Sequence, residues 1–169
     1  MDAVTCLLNV RNNLRLNLVD PYTLTVPSGT RGTGLQFIYY DEPTPSPKYP
    51  IVEIKKLDNP TEIISINSQT SSYWEYEQVF ANIFVYTKNG FSITVNGVTY
   101  KNSQLIDYYL GIIKTTLKGQ LTTLDTAGVK LYKHLKTSQS GYDPNTQLYY
   151  GYVTIRVGFF IPWLIWNSL

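Results

Sequence analysis

Between residues 76 and 87 the chain alternates, yet neither side of the alternation is plainly polar. Val79, Ala81, Ile83 and Val85 fall on one side of an extended strand; Phe80, Phe84 and Tyr86 fall on the other, with Gln78 and Asn82 among them. A period of two places successive side chains on opposite faces of a sheet. Residues 148–160 repeat the pattern, with Tyr149, Val153, Ile155, Val157 and Phe159 on one side and Tyr150, Tyr152, Thr154, Arg156 and Phe160 on the other. The reading is two long strands whose aliphatic sides face a core and whose other sides are amphipathic.

Around these strands the pattern predicts further elements. Residues 2–18 read as a helix, with Val4, Leu7, Leu8, Leu14 and Leu18 near helical spacing, ended by Asp20-Pro21. LQFIYY (35–40), IVEIKKL (51–57) and EIISI (62–66) read as short strands, the second at a sheet edge because its alternation is uneven. The loops between them are the Gly- and Thr-rich stretch 22–34, the Pro-rich stretch 41–50 and SQTSS at 68–72. Asn89-Gly90 and Asn96-Gly97 each signal a two-residue turn needing positive φ, so 76–100 reads as a strand followed by two hairpins. Ser103 is placed to cap a helix whose buried stripe is Leu105, Ile106, Tyr109, Ile112, Ile113, Thr116 and Leu117, ending at Gly119. Val129 to Lys136 fits strand or helix spacing, and strand is preferred. The fold class expected is α+β: an antiparallel, twisted sheet with two helices packed on one face and a long β-hairpin region, forming a single domain over 1–169.

Composition sharpens this picture in two ways. Charged residues make up 15% of the chain, below the usual quarter, while there are fifteen tyrosines. The net charge of +2 is thinly spread, which argues against a nucleic-acid-binding domain with a concentrated basic face. The amphipathic strand sides are rich in Tyr, Phe and Arg, the residues enriched in interfaces between proteins. The candidate interface is therefore Phe80, Phe84, Tyr86, Tyr150, Tyr152, Arg156 and Phe160, preferred over a third layer of the same chain. The aromatic extension 159–169 adds Trp163 and Trp166, either tucked back on the core or docked on another subunit. Lys130, His134 and Lys136 form a candidate basic face, either simply solvated or lining a passage for DNA without base readout.

Candidate chemistry is sparse. The single cysteine, Cys6, sits in an apolar run and reads as a buried thiol; it excludes a disulfide framework and a multi-cysteine metal site. His134 is the one histidine. GTRGTG (29–34) lacks the strand-to-helix frame and Lys-Ser/Thr ending of a phosphate cradle, and reads as a flexible loop whose Arg31 is free to meet an acidic surface or a phosphate. A small hydrolase or transferase would need a polar cluster around His134, Asp107 or Asp125, and a carbohydrate-binding surface module would use the Tyr and Trp content. The start, MDAVTCLLNVRNN, lacks the basic segment of a secretory signal, and VGFFIPWLIW (157–166) is shorter than the roughly 20 residues of a membrane-spanning helix. No membrane partner is expected.

The order of an N-terminal helix (VTCLLNVRNNLRLNL), a central strand (YEQVFANIFVYTK) leading through hairpins into a helix (SQLIDYYLGIIKTTLKG), and a last long strand (YYGYVTIRVGFF) behind the turn SGYDPNTQ resembles the tail-terminator and neck proteins of long-tailed bacteriophages and related archaeal viruses. The Pro-rich loop 41–50 and the aromatic extension 159–169 depart from that pattern. The resemblance implies a structural virion protein without enzymatic activity or cofactor, one that forms a ring, commonly a hexamer, caps the tail tube and joins it to the head connector. Its partners would be copies of itself, the tail tube protein and head-completion proteins, with DNA passing through the lumen. Other neck or tail-associated structural roles are the alternatives. The place implied is the tail or neck of the virion, assembled in the host cytoplasm.

Overall fold

The computed structural model describes residues 1–24, 26, 31, 35–41, 43, 46–58, 63–66 and 74–162, with only the backbone described at 63–66, 74–76, 131 and 162. In chain order the elements are α1 (Ala3–Asn17), β1 (Ile38–Tyr40), β2 (Ile51–Lys56), β3 (Ile63–Ile66), β4 (Trp74–Lys88), β5 (Ser92–Val95), β6 (Val98–Lys101), α2 (Asn102–Gly119), α3 (Leu121–Thr126), β7 (Leu131–Thr137), β8 (Gly141–Asp143) and β9 (Leu148–Pro162). The fold is α+β, as the periodicity predicts.

The frame is the antiparallel ribbon of β4 and β9, paired without interruption from Trp74 opposite Pro162 to Lys88 opposite Leu148. Short strands flank it on both sides. β2 and β3 pair with different halves of β4, while β7 and β8 pair with different halves of β9. β1 adds outside β2 and runs parallel to it, so the sheet is mixed rather than wholly antiparallel. β2 is consequently an interior strand; its Ile51, Val52, Glu53 and Ile54 are all buried, and the uneven alternation reflects cover on both sides rather than an edge.

The helices cover one face. α1 begins at Asp2, whose carboxylate accepts a 2.7 Å hydrogen bond from the Thr5 amide, and it buries Cys6, Leu7, Val10 and Leu14. α2 buries Leu105, Ile106, Tyr109, Leu110, Ile113 and Leu117. These pack against Val52, Ile54, Val79, Ala81, Ile83, Val85, Val153, Ile155, Val157 and Phe159, so the aliphatic sides of both long strands face the core. Ser103 makes no capping bond; α2 starts after Lys101 without a side-chain cap. The short α3, which the hydrophobic pattern does not announce, inserts Leu124 into the same core.

Only the second of the two expected hairpins exists. Asn96 and Gly97 take φ of 50° and 79° and join β5 to β6. At Asn89-Gly90 only Gly90 has positive φ (83°), and β5 leaves the main sheet to form a separate two-stranded ribbon with β6. Positive φ at the second central residue alone matches neither type I′, which needs it at both, nor type II′, which needs it at the first, the two types whose twist suits a two-residue hairpin.

Arg31 is not free. Its guanidinium is buried and bidentate on Asp20, at 2.7 and 2.8 Å, donates 2.5 Å to the Pro50 carbonyl and also bonds the Lys48 carbonyl. It lies 4.8 Å from the ring centres of both Tyr22 and Phe37. The ion pair thereby ties the chain after α1 to the segment entering β2.

Candidate assembly face

The face of the ribbon away from the helices is built by register. Across β4 and β9, Phe80 sits opposite Arg156, Asn82 opposite Thr154, Phe84 opposite Tyr152 and Tyr86 opposite Tyr150. Directly opposed side chains in an antiparallel pair lie within contact distance. Phe84 accordingly packs on Tyr152, with ring centres 5.3 Å apart, and on Tyr86, at 5.6 Å. The Thr154 hydroxyl donates 2.7 Å to Asn82 Oδ1. Phe80, Asn82, Phe84, Tyr86, Tyr152, Thr154, Arg156 and Phe160 are all half-buried, and Tyr150 is 37% exposed. Seven of the sequence-predicted interface residues, from Phe80 to Phe160, thus fall on the same face of the ribbon. Trp163 and Trp166 lie outside the described residues.

One corner of this face is covered by the chain itself. Glu53 lies opposite Phe84 on β2 and is buried, and Ile51, opposite Tyr86, is 1% exposed although it lies outside the helix-side core. Burial first, and then the neighbouring and hydrogen-bonded Glu53, raise the Tyr86 hydroxyl well above the ordinary tyrosine range. Tyr86 is therefore neutral across the physiological range. Further along, Gln78 Oε1 and Arg156 Nε are buried with no hydrogen-bond partner among the described residues.

The candidate basic residues are divided by a β-bulge between His134 and Lys136. His134 pairs opposite Ile155, in the row of the helix side, and its Nε2 lies 2.8 Å from the Thr137 hydroxyl. Lys136 pairs opposite Thr154, in the row of the aromatic side. Lys130 precedes β7 and donates 3.0 Å to the Asp125 carboxylate. The bulge thus puts Lys136 in the same row as Lys133, which lies opposite Arg156, while on the other side of the ribbon Lys55 of β2 lies opposite Asn82. Strict alternation counted from His134 puts Lys136 in the row of His134 instead, because a bulge changes the facing of every residue beyond it.

Among the described residues, no three His, Cys, Asp or Glu side chains come together as metal ligands would. No helix among them is long and apolar enough to cross a membrane. A second concavity, a cleft of about 410 Å³, lies between the end of α1, the β5–β6 ribbon and α2.

No protein-family model matches the chain, and no curated protein matches it either. Among solved structures, the chain is similar to a chain of the virion of a native gene transfer agent particle, with a TM-score of 0.32 and 11% sequence identity over 77% of this chain and 81% of that one. A likeness of that degree bears on neither activity nor assembly.

Proposed function

We propose that this protein is architectural: a structural virion protein that assembles with copies of itself into a ring and acts in the manner of a tail terminator, capping a tail tube and joining it to the head while leaving a lumen for DNA. The observation that carries the reading is the aromatic face of the β4–β9 ribbon. A one-sided sheet ordinarily turns charged and small polar residues to water on its free side. Here that side presents a Phe80–Phe84–Tyr86 row against Tyr150, Tyr152 and Arg156, with Lys55, Lys133 and Lys136 at its margins. Aromatic residues and Arg at the centre with charges at the rim is the composition of a protein–protein contact. The order of elements, with a long strand on either side of a hairpin and helix, supports the terminator-like assignment. A hexameric ring is the form proposed.

Negative-stain images and native mass spectrometry of the purified chain, alone and mixed with tail-tube protein, test this. The expected result is a closed ring of defined copy number, or capped tubes of uniform length. A chain that stays monomeric and leaves tubes growing would refute the proposal. No cofactor and no catalytic step form part of it. His134 bonded to Thr137, and Asp125 bonded to Lys130, are engaged in local contacts.

A further inference from the structure

The cleft beside α2 is apolar in a way that the aromatic face does not account for. Its walls include Tyr22, Leu24, Phe91, Ile93, Tyr108 and Ile112, and none of the described residues lining it carries a charge. Leu24 is 77% exposed and Tyr22 39%, while the Tyr22 and Phe91 rings meet at 5.4 Å. At about 410 Å³ the cleft falls in the lower part of the roughly 300–1,000 Å³ range of small-ligand sites. It suits a large aromatic side chain and its apolar neighbours.

The sequence contains such a group. Residues 163–166 read Trp-Leu-Ile-Trp, uncharged and directly continuous with β9. Their own cleft is out of reach. β9 ends at Pro162, opposite Trp74, whereas the cleft is lined by Phe91, three residues beyond Lys88 at the other end of the ladder. Fourteen steps of strand span about 45 Å. Trp166 lies four residues beyond Pro162, a reach of at most about 14 Å.

We infer that the cleft receives the tryptophan-bearing segment 163–166 of a second copy of this chain, so that each copy inserts its segment into the next. This inference rests on the assembly reading above and supplies its connector. The contact joins two different surfaces of identical chains, the head-to-tail geometry that closes into rings when the rotation permits. A tryptophan seated in a dry pocket is the kind of anchor that dominates such contacts.

Cross-linking between two variants tests it. Full chains carrying Asn167→Cys are mixed with full chains carrying Ser92→Cys, at the cleft wall, under mild oxidation; the native Cys6 thiol is buried. The expected product is a disulfide-linked pair at twice the 19.3 kDa of one chain, in which peptide mapping finds position 167 joined to position 92 rather than either position to its own copy. It should be absent when Asn145→Cys, in an exposed turn at the same end of the sheet but outside the cleft, replaces Ser92→Cys. Adding Trp163→Ala and Trp166→Ala to the Asn167→Cys chain should weaken association by about 30-fold, the loss of a strong anchor. Equal linking to positions 92 and 145, or linking indifferent to the tryptophans, overturns the inference. Native mass spectrometry of the same mixtures separates it from the ring reading. A ring without the specific link refutes the inserted segment and leaves the ring standing. A specific link confined to pairs supports insertion and counts against a ring, and monomers without a link refute both.

Discussion

At the scale of single residues, the charged side chains buried among the described residues are Asp20, Arg31 and Glu53, and the Cys6 thiol is buried with them. Arg31 and Asp20 form the one ion pair buried on both sides among the described residues. Removing the cation alone leaves an uncompensated carboxylate in the interior, which costs about 3–5 kcal/mol. Arg31→Met should show that loss in urea unfolding, and Asp20→Leu combined with Arg31→Met should recover a large part of it. The Cys6 thiol is pushed up from 9.0 to about 12, chiefly by burial and then by the Glu77 charge. Because its folded value is raised, its contribution to stability is complete below about pH 9 and drains away as pH rises towards 12. Tyr132, raised by burial from 10.0 to about 12, adds its own loss slightly higher. Cys6→Ala should therefore flatten the first part of the alkaline decline in a series of urea unfolding curves. In the wild type, Cys6 should react with a thiol reagent only after denaturant is added.

At the scale of elements, packing between β9 and α2 leaves little tolerance at Gly151. A β-carbon there would stand 2.7 Å from Ile106 Cγ2 and 3.0 Å from Leu110 Cδ1. Ile106 is branched at its β-carbon and set in the core, so it has few rotamers in which to retreat. Gly151→Val should cost about 1–3 kcal/mol by overpacking, read as a lowered unfolding midpoint with the circular dichroism of the native fold retained. Both long strands and both long helices were legible because each runs for at least fifteen residues with an unbroken period. What escaped the pattern was what depends on partners distant in sequence. The parallel pairing of β1 with β2, and the interior place of β2, follow from Ile38 meeting Val52. Nothing local to IVEIKKL specifies that neighbour. Asn89-Gly90 failed as a hairpin because β9 occupies one side of β4 along its whole length, and β2 and β3 occupy most of the other. The six residues of α3 are too few to show a helical period.

At the scale of the whole molecule, one sheet face is packed by helices, and the other, apart from the buried Ile51, Glu53 and Gln78, is partly open among the described residues. The membership of that other face was legible from alternation alone, because β4 and β9 pair with no bulge between Trp74 and Lys88. Its margin was not, since the irregularity between His134 and Lys136 moves Lys136 out of the row of His134 and into that of Lys133. If the face serves assembly, charge placed at its centre should abolish association while leaving the fold intact. Phe84 lies between Tyr86 and Tyr152, and replacing it with Glu forfeits two ring contacts worth about 0.5–1.5 kcal/mol each. Phe80→Glu, opposite Arg156, avoids the Phe84–Tyr86–Tyr152 cluster and places a carboxylate beside a cation within the same chain. The two variants therefore differ in their expected cost to the monomer and agree in their expected cost to the assembly. In thermal unfolding Phe84→Glu should melt below Phe80→Glu; in native mass spectrometry both should run as monomers where the wild type runs as a ring. Rings formed by both variants would place the contact on another surface, because a desolvated carboxylate facing a second protein costs more than any exposed contact at the rim returns.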